Sequence, residues 1–264
     1  MSDYGLWYLK EKMKNTVTDR AKYAAAAAAV DYVKDGMSVG LGTGSTAAWM
    51  IKCLGERILE HSLKIKAVPT SVSTFELATQ CGISLTTLDE VGLLDLTIDG
   101  TDECDENFNM IKGGGAALLH EKVVLAASSQ RIIIADSSKY VKTLGKFALP
   151  VEIIAFGWTS SKQKIECLLN ELGFSNFKID LRQKNGVILK TDENNYVLDL
   201  NLGKIIDPIL LSKELNTVPG VVENGLFVKL CDLLVLGDIS GGVRALHSES
   251  GKSIESVVDF GTKI

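Results

Sequence analysis

What most constrains this chain is the regular alternation of short Val/Ile-rich runs with segments of helical spacing. The segment TDRAKYAAAAAAVDYVKDG, Thr18 to Gly36, reads as a helix. Thr18 and Asp19 suit an N-terminus, the alanines propagate the helix, and Gly36 stops it. MSVGLG then reads as a short buried strand and STAAWMIKCLGERILEH as a helix. The alternation continues with a strand at KIKAVPT, a helix at STFELATQCG and strands at ISLTTL and LDLTIDG. A helix at GAALLHEKVVLAASS and a strand at RIIIAD complete it. Apolar strands joined by helical crossovers predict a parallel sheet covered on both faces.

The pattern changes near Pro150. VEIIAF, a helix at KQKIECLLNELG, and FKIDLR come first. A hairpin in VILKTDENNYVLDLNLG, turning at Asp192 to Asn195, and a helix at DPILLSKELNTVPG follow. VENGLFVKLCDLLVLGD returns to apolar strands that can rejoin the first sheet. The expected fold is α/β: a Rossmann-like parallel-sheet domain, residues 1–148 plus 224–264, with a second, smaller α+β (ferredoxin-like) domain, residues 149–223. Residues 1–17 read as an extension or a short amphipathic cap.

A formal net charge of -5 and a pI near 5.4 argue against nucleic-acid or anionic-membrane partners. Any anion must be held by a local cluster of donors. The five cysteines are scattered without a C-x-x-C pair, which argues for a reducing compartment and against a disulfide framework or structural zinc. The leading MSDYGLWYLKEKMKN lacks the apolar core of a signal peptide, and the run Ala24 to Ala29 is too short to span a bilayer. The expected location is cytoplasmic.

Three segments can carry chemistry. Gly40-Leu41-Gly42-Thr43-Gly44-Ser45-Thr46 lies between a strand and a helix. There, free amides, the helix dipole and hydroxyls suit a phosphate. It lacks the G-K-[ST] of a Walker loop and the third glycine of a dinucleotide fingerprint, and it reads equally as a tight turn capped by Ser45. In LTIDGTDECDENF, Asp99 closes a strand and Asp102 follows in the loop, the position where α/β folds bind ligands. Glu103, Asp105 and Glu106 read as a solvated acidic run, and the spacing matches no calcium loop. Lys112 then precedes Gly113, Gly114 and Gly115, whose entropic cost makes sense if bare amides press against a ligand. That reading places Lys112 at the mouth of a site and Glu121 about two turns into the following helix. By spacing alone, Glu121 reads as an exposed helix residue paired with a lysine. His61 and His247 sit in polar stretches, and His120 points about 100° away from Glu121 around the helix.

Together, VGLGTGSTAAW, DGTDECDENFNMIKGGGAALLHEKV, IADSSKYVKTLGKFALPVEI and DP…VPGVVENGLF resemble the ribose-5-phosphate isomerase A family, from about Lys22 to near residue 240. The resemblance implies a phosphate loop at Thr43, Gly44, Ser45 and Thr46. It implies an acidic substrate loop at Asp99, Gly100, Thr101 and Asp102, where threonine at 101 replaces a frequent alanine. A second substrate loop is implied at Lys112 and Gly113 to Gly115, a catalytic glutamate at Glu121, and substrate-holding lysines at Lys139 and, on a looser match, Lys22. The implied activity is aldose–ketose isomerisation of ribose 5-phosphate through an enediolate, without metal or nucleotide cofactor, with Glu121 as base. Lys112 and the glycine amides would stabilise the oxyanion, and Asp99 and Asp102 would bind sugar hydroxyls. A homodimer or homotetramer acting on a small sugar phosphate is expected. Two rivals keep a similar scaffold: a sugar-phosphate-sensing module, for which no DNA-binding domain is evident, and a coenzyme-A transferase with a glutamate nucleophile.

Overall fold

The computed structural model describes residues 17–248 and 256–258. The expected extension at residues 1–17 falls, apart from its last residue, outside them. The elements run α1 (Val17–Val30), β1 (Ser38–Leu41), α2 (Ser45–His61), β2 (Lys66–Pro69), α3 (Val72–Gln80), the single turn α4 (Leu88–Val91) and β3 (Leu94–Gly100). Two short strands, β4 (Glu103–Cys104) and β5 (Met110–Ile111), lead to α5 (Leu118–Ala126) and β6 (Ser128–Asp136). The second unit holds β7 (Leu149–Ile153), α6 (Trp158–Glu171), β8 (Lys178–Leu181), β9 (Gln183–Lys184), β10 (Val187–Ile188), β11 (Tyr196–Asn201), α7 (Pro208–Leu215) and β12 (Val221–Asn224). The chain returns through β13 (Leu226–Phe227), β14 (Leu233–Gly237), β15 (Val243–His247) and β16 (Ser256–Val258).

The main sheet has the order β16-β15-β14-β6-β3-β1-β2; β14 through β2 are parallel and the two final strands are antiparallel. Its strands are apolar on both faces because both are covered. Ile132 and Ile134 pack with α1 and α2, while Ile133 and Ala135 pack with Leu118 and Leu125 of α5 and with Phe227. The alanine-rich α1 lies very close to the sheet. A Cβ on Gly237 of β14 would come within 1.9 Å of the Ala21 carbonyl oxygen, so small residues are needed on both sides.

The second unit is a βαββαβ fold whose antiparallel sheet has the order β12-β7-β11-β8, a ferredoxin-like arrangement. Leu149, Val151 and Ile153 alternate inward to meet Ile165 and Leu169 of α6 and Leu211 and Leu215 of α7.

Four local expectations are corrected. The α1 helix ends at Val30 rather than running to Gly36, and the chain turns through Asp31 to Gly36, which takes φ +82°. ISLTTL forms no strand; it touches the sheet by a single bridge, Leu85 to Ala67, before α4. The hairpin expected to turn at Asp192 to Asn195 is displaced: β10 pairs with β9 across Asn185-Gly186, both at positive φ. Asn-Gly is the stronger two-residue turn signal, and it prevails. Finally, the helix after the glycines starts only at Leu118, because Ala116 adopts φ +60° in a tight turn. Glu121 therefore sits in its first turn, not two turns in.

Gly237→Ala should lower stability by about 2–3 kcal/mol, since neither the sheet nor the α1 backbone can yield cheaply. Thermal unfolding would measure it, and an unchanged melting temperature would contradict the close approach.

Candidate active site

The parallel strands β1, β3 and β6 end together, with β2 and β3 on opposite sides of β1. The crevice at such a switch in strand order is where open α/β sheets bind ligands. A cleft of about 250 Å³ opens there. Lys22, Thr43 to Thr46, Gly100 to Asp102, Lys112 to Gly115, Glu121 and Lys139 all line it. Asp99 does not: it is fully buried beneath the cleft floor.

The floor is built around Lys112. Its ammonium is 2% exposed and lies 3.0 Å from Asp99 Oδ2 and 3.1 Å from Glu121 Oε1, and it donates to the Gly100 carbonyl at 2.5 Å. Three chain segments thus converge on one cation, which sits at the base of the site rather than at its mouth. Burial alone would lower the Lys112 pKa, but the charges of Asp99 and Glu121 outweigh it and hold the ammonium protonated. One cation cannot fully balance two buried carboxylates. Desolvation, and then the charge of Asp99, push Glu121 up to about 8, against the pull of Lys112. Desolvation likewise raises Asp99.

Glu121 is 3% exposed, contrary to the exposed position that its spacing suggests. Its Oε1 meets Lys112, while Oε2 has no hydrogen-bond partner among the described residues. A buried, unpartnered carboxylate oxygen with a raised pKa at a cleft wall has the attributes of a proton acceptor. Asp99 is held by the amides of Gly100 at 2.7 Å and Thr43 at 3.2 Å, and Gly42 is obligatory because a Cβ there would strike Asp99 Oδ1 at 2.0 Å.

The opposite end of the cleft is formed by the β1–α2 turn. Gly44, not Ser45, occupies the N-cap of α2, at φ 114° and ψ 179°, and no side chain caps the helix. The first amides of α2 are left for a ligand. Ser45, Thr46, Lys22 and Lys139 have no side-chain hydrogen bond or ion pair among the described residues. Thr43 differs. Its hydroxyl is shared with Thr70 at 2.7 Å, Ser71 at 2.9 Å and Thr74 at 3.1 Å, so it braces the turn instead of facing a ligand.

The two central loops are pinned to each other. Gly114 donates its amide to Asp102 Oδ2 at 2.8 Å, and a Cβ at Gly114 would meet the same carboxylate at 2.7 Å. Thr101 Oγ1 donates to the Glu103 carbonyl at 2.7 Å and lies 3.1 Å from that of Ile111. The acidic run is not solvated as a whole. Glu103 is buried and accepts from the amides of Gly145 and Phe147, and Asp105 accepts from those of Asn107 and Asn109; only Glu106 is exposed. His120 bonds Glu193 at 2.8 Å, away from the cleft.

A profile of the family described as ribose 5-phosphate isomerase A (phosphoriboisomerase A) matches residues 66–241. The chain belongs to the ribose 5-phosphate isomerase A family. It is 53% identical over 241 residues to a ribose-5-phosphate isomerase A of Jannaschia sp. (strain CCS1), covering 91% of this chain and 92% of that protein. It is also similar to the solved ribose 5-phosphate isomerase of Plasmodium falciparum, with a TM-score of 0.81 at 38% identity over 86% of this chain and 98% of that one. A D-ribose-5-phosphate isomerase solved with phospho-erythronic acid is similar at a TM-score of 0.78 and 37% identity, over 87% and 99% of the two chains.

Three further residues of this family member line the cleft although the sequence does not single them out: Thr18, Asp136 and Ser138. Asp136 accepts from the Ser138 amide at 3.1 Å and from its hydroxyl, shaping the turn that presents Lys139. The strand-end rule that picks out Asp99 applies equally to Asp136, which closes β6. Among the described residues, no cluster of three or more His, Cys, Asp or Glu is arranged for a metal ion, and no helix is long and apolar enough to cross a membrane.

Lys112→Met should strand two buried carboxylates. The variant is expected to lose about 3–5 kcal/mol near neutral pH in denaturant unfolding. Because Lys112 lowers the Glu121 pKa, infrared titration of that carboxyl should show its midpoint moving up from about 8. A midpoint that fell would contradict the cluster.

Proposed function

We propose that this chain interconverts D-ribose 5-phosphate and D-ribulose 5-phosphate in the non-oxidative pentose phosphate pathway, by proton transfer through an enediolate. The carrying observation is Glu121, with one oxygen tied to Lys112 and the other free at the cleft wall. The phosphate binds at the α2 N-terminus with Ser45, Thr46, Lys139 and Lys22, whose side chains have no competing partner among the described residues. That end fixes the open-chain sugar so that C1 and C2 lie against Glu121.

Glu121 removes the proton from C2 of the aldose, and the C1 carbonyl oxygen takes the negative charge. Lys112 and the glycine-loop amides stabilise that charge. The O2 proton passes to O1, and Glu121 returns its proton to C1, leaving the ketone at C2. No atom is gained or lost. Asp102, at the cleft wall, takes sugar hydroxyls and assists opening of the furanose ring. Asp99 contributes from beneath by holding Lys112, since it does not reach the cleft. Phospho-erythronic acid, bound by the similar structure, carries a carboxylate where the enediolate carries its two oxygens, and it is the natural inhibitor to use here.

In this reading residues 1–148 plus 224–264 form the catalytic domain and 149–223 the smaller one. The protein is a cytoplasmic homodimer or homotetramer; exposed Phe156 and Ile206 offer apolar surface for assembly.

Appearance of ribulose 5-phosphate from ribose 5-phosphate separates this reading from a sensing module or a coenzyme-A transferase. Glu121→Gln should lower kcat by about 10³-fold with substrate binding retained, and near-normal turnover would rule Glu121 out as base. Because the ionised form is the base, kcat/KM should rise with pH and level off above the Glu121 pKa of about 8. A profile flat from about pH 5 to 9 would contradict the raised pKa.

A further inference from the structure

The glycine loop is gripped from outside the cleft by a residue of the second unit. Arg182 follows β8, its backbone fixed by donation to the Val197 carbonyl at 2.9 Å and by acceptance from Leu189 at 3.0 Å. Its Nε and Nη2 form a two-pronged pair with Asp199 of β11, the Nε arm at 2.8 Å. The remaining nitrogen, Nη1, donates to the Gly113 carbonyl at 2.7 Å and lies 3.3 Å from that of Gly114. Both partners are largely buried, the arginine side chain 12% and the aspartate 20% exposed.

A trans peptide points its C=O and N–H in opposite directions. Fixing the Gly113 carbonyl on Arg182 therefore turns the Gly114 amide the other way, where it meets Asp102 at 2.8 Å. Fixing the Gly114 carbonyl turns the Gly115 amide toward the cleft, which Gly115 lines and where its N–H has no partner among the described residues. The cation also polarises both peptide units, making their amides stronger donors. Without such a grip, three successive glycines would sample many orientations.

We propose that Arg182, anchored by Asp199, is a positioning residue for the isomerisation, aiming the Gly114 and Gly115 amides at the acidic loop and at the enediolate oxygen. This rests on the enediolate reading above and gives the smaller unit a part in the chemistry through the glycine loop.

The test compares Arg182→Gln with the unaltered full-length protein, using ribose 5-phosphate as substrate and phospho-erythronic acid and inorganic phosphate as competitive inhibitors. The expected result is a fall in kcat on the order of 10- to 100-fold with KM little changed, as for a misplaced catalytic donor. Affinity for phospho-erythronic acid should fall by a similar factor while inhibition by inorganic phosphate is unaffected. Arg182→Lys keeps the charge but not the fork, and should recover part of the loss. Unchanged kcat, or equal weakening of both inhibitors, overturns the assignment. Should Arg182→Gln fail to fold, Asp199→Ala leaves the arginine but frees it, and normal kinetics there also overturn the assignment. Glu121→Gln run alongside keeps the two ideas apart. Its retained turnover would defeat the base, whereas the role of Arg182 stands or falls on how the two inhibitors diverge.

Discussion

A single ammonium, Lys112, is what the floor of the cleft is arranged around. It is nearly inaccessible to water and binds the carboxylates of Asp99 and Glu121 and the carbonyl of Gly100. These partners come from the end of β3 and the first turn of α5, while the lysine follows β5. Ion pairing at such depth contributes little net stability, because desolvation offsets the attraction. What it provides is registration: strand end, loop and helix must meet within hydrogen-bond distance or leave a bare charge. Desolvation, and after it the charge of Asp99, raises the Glu121 pKa against the pull of Lys112, so the packing that fixes the site sets its acidity as well.

The surroundings of Glu121 are fastened in the same way. Lys122, the next residue, reaches out of the helix to Glu223 at 2.9 Å and to the carbonyls of Asn224 and Leu226 at 2.7 and 2.9 Å. It thereby ties α5 to the segment that returns from the second unit to the main sheet. Gly225 lies in that segment because a Cβ there would meet the Lys112 carbonyl at 2.4 Å. Arg182 thus reaches the glycine loop from the second unit, and Lys122 reaches out of α5 to the last strand of that unit. The smaller unit has its own core and, by this geometry, works as a buttress.

The architecture is legible in the sequence wherever burial governs the pattern. Strands such as RIIIAD, apolar on both faces, announce a covered parallel sheet, and the change of pattern near Pro150 marks the second unit. Local backbone is less legible. The Asn185-Gly186 turn competes with a longer polar stretch at Asp192 to Asn195 that looks like the hairpin tip, and positive φ at Ala116 shortens α5. Glycine clusters, strand ends and resemblance pick out residues that, Asp99 apart, line one cleft, yet they do not convey their environments. Lys112 reads as a cation at the mouth of a site and Glu121 as an exposed helix residue, because each, taken alone, should be solvated. Only the fold brings together residues far enough apart in sequence to neutralise one another. Arg182 gives no signal at all, since the glycine-loop carbonyls it grips lie 68 and 69 residues away along the chain.

The two ends of the cleft obey opposite rules. Near Glu121 most polar atoms are satisfied by the protein; Asp99 Oδ2 has only its ion pair with Lys112, and Glu121 Oε2 has no hydrogen-bond partner among the described residues. At the α2 N-terminus the reverse holds: amides, hydroxyls and two lysines are left without partners among the described residues, against a net charge of -5 on the chain. A dianionic phosphate would find there the donors that the protein withholds from itself. Binding energy collected at the open end can then be spent on orienting carbon atoms at the closed one. A chain that satisfied both ends would be more stable and would have nothing left with which to hold a substrate, while one that left both open could not keep Glu121 dry.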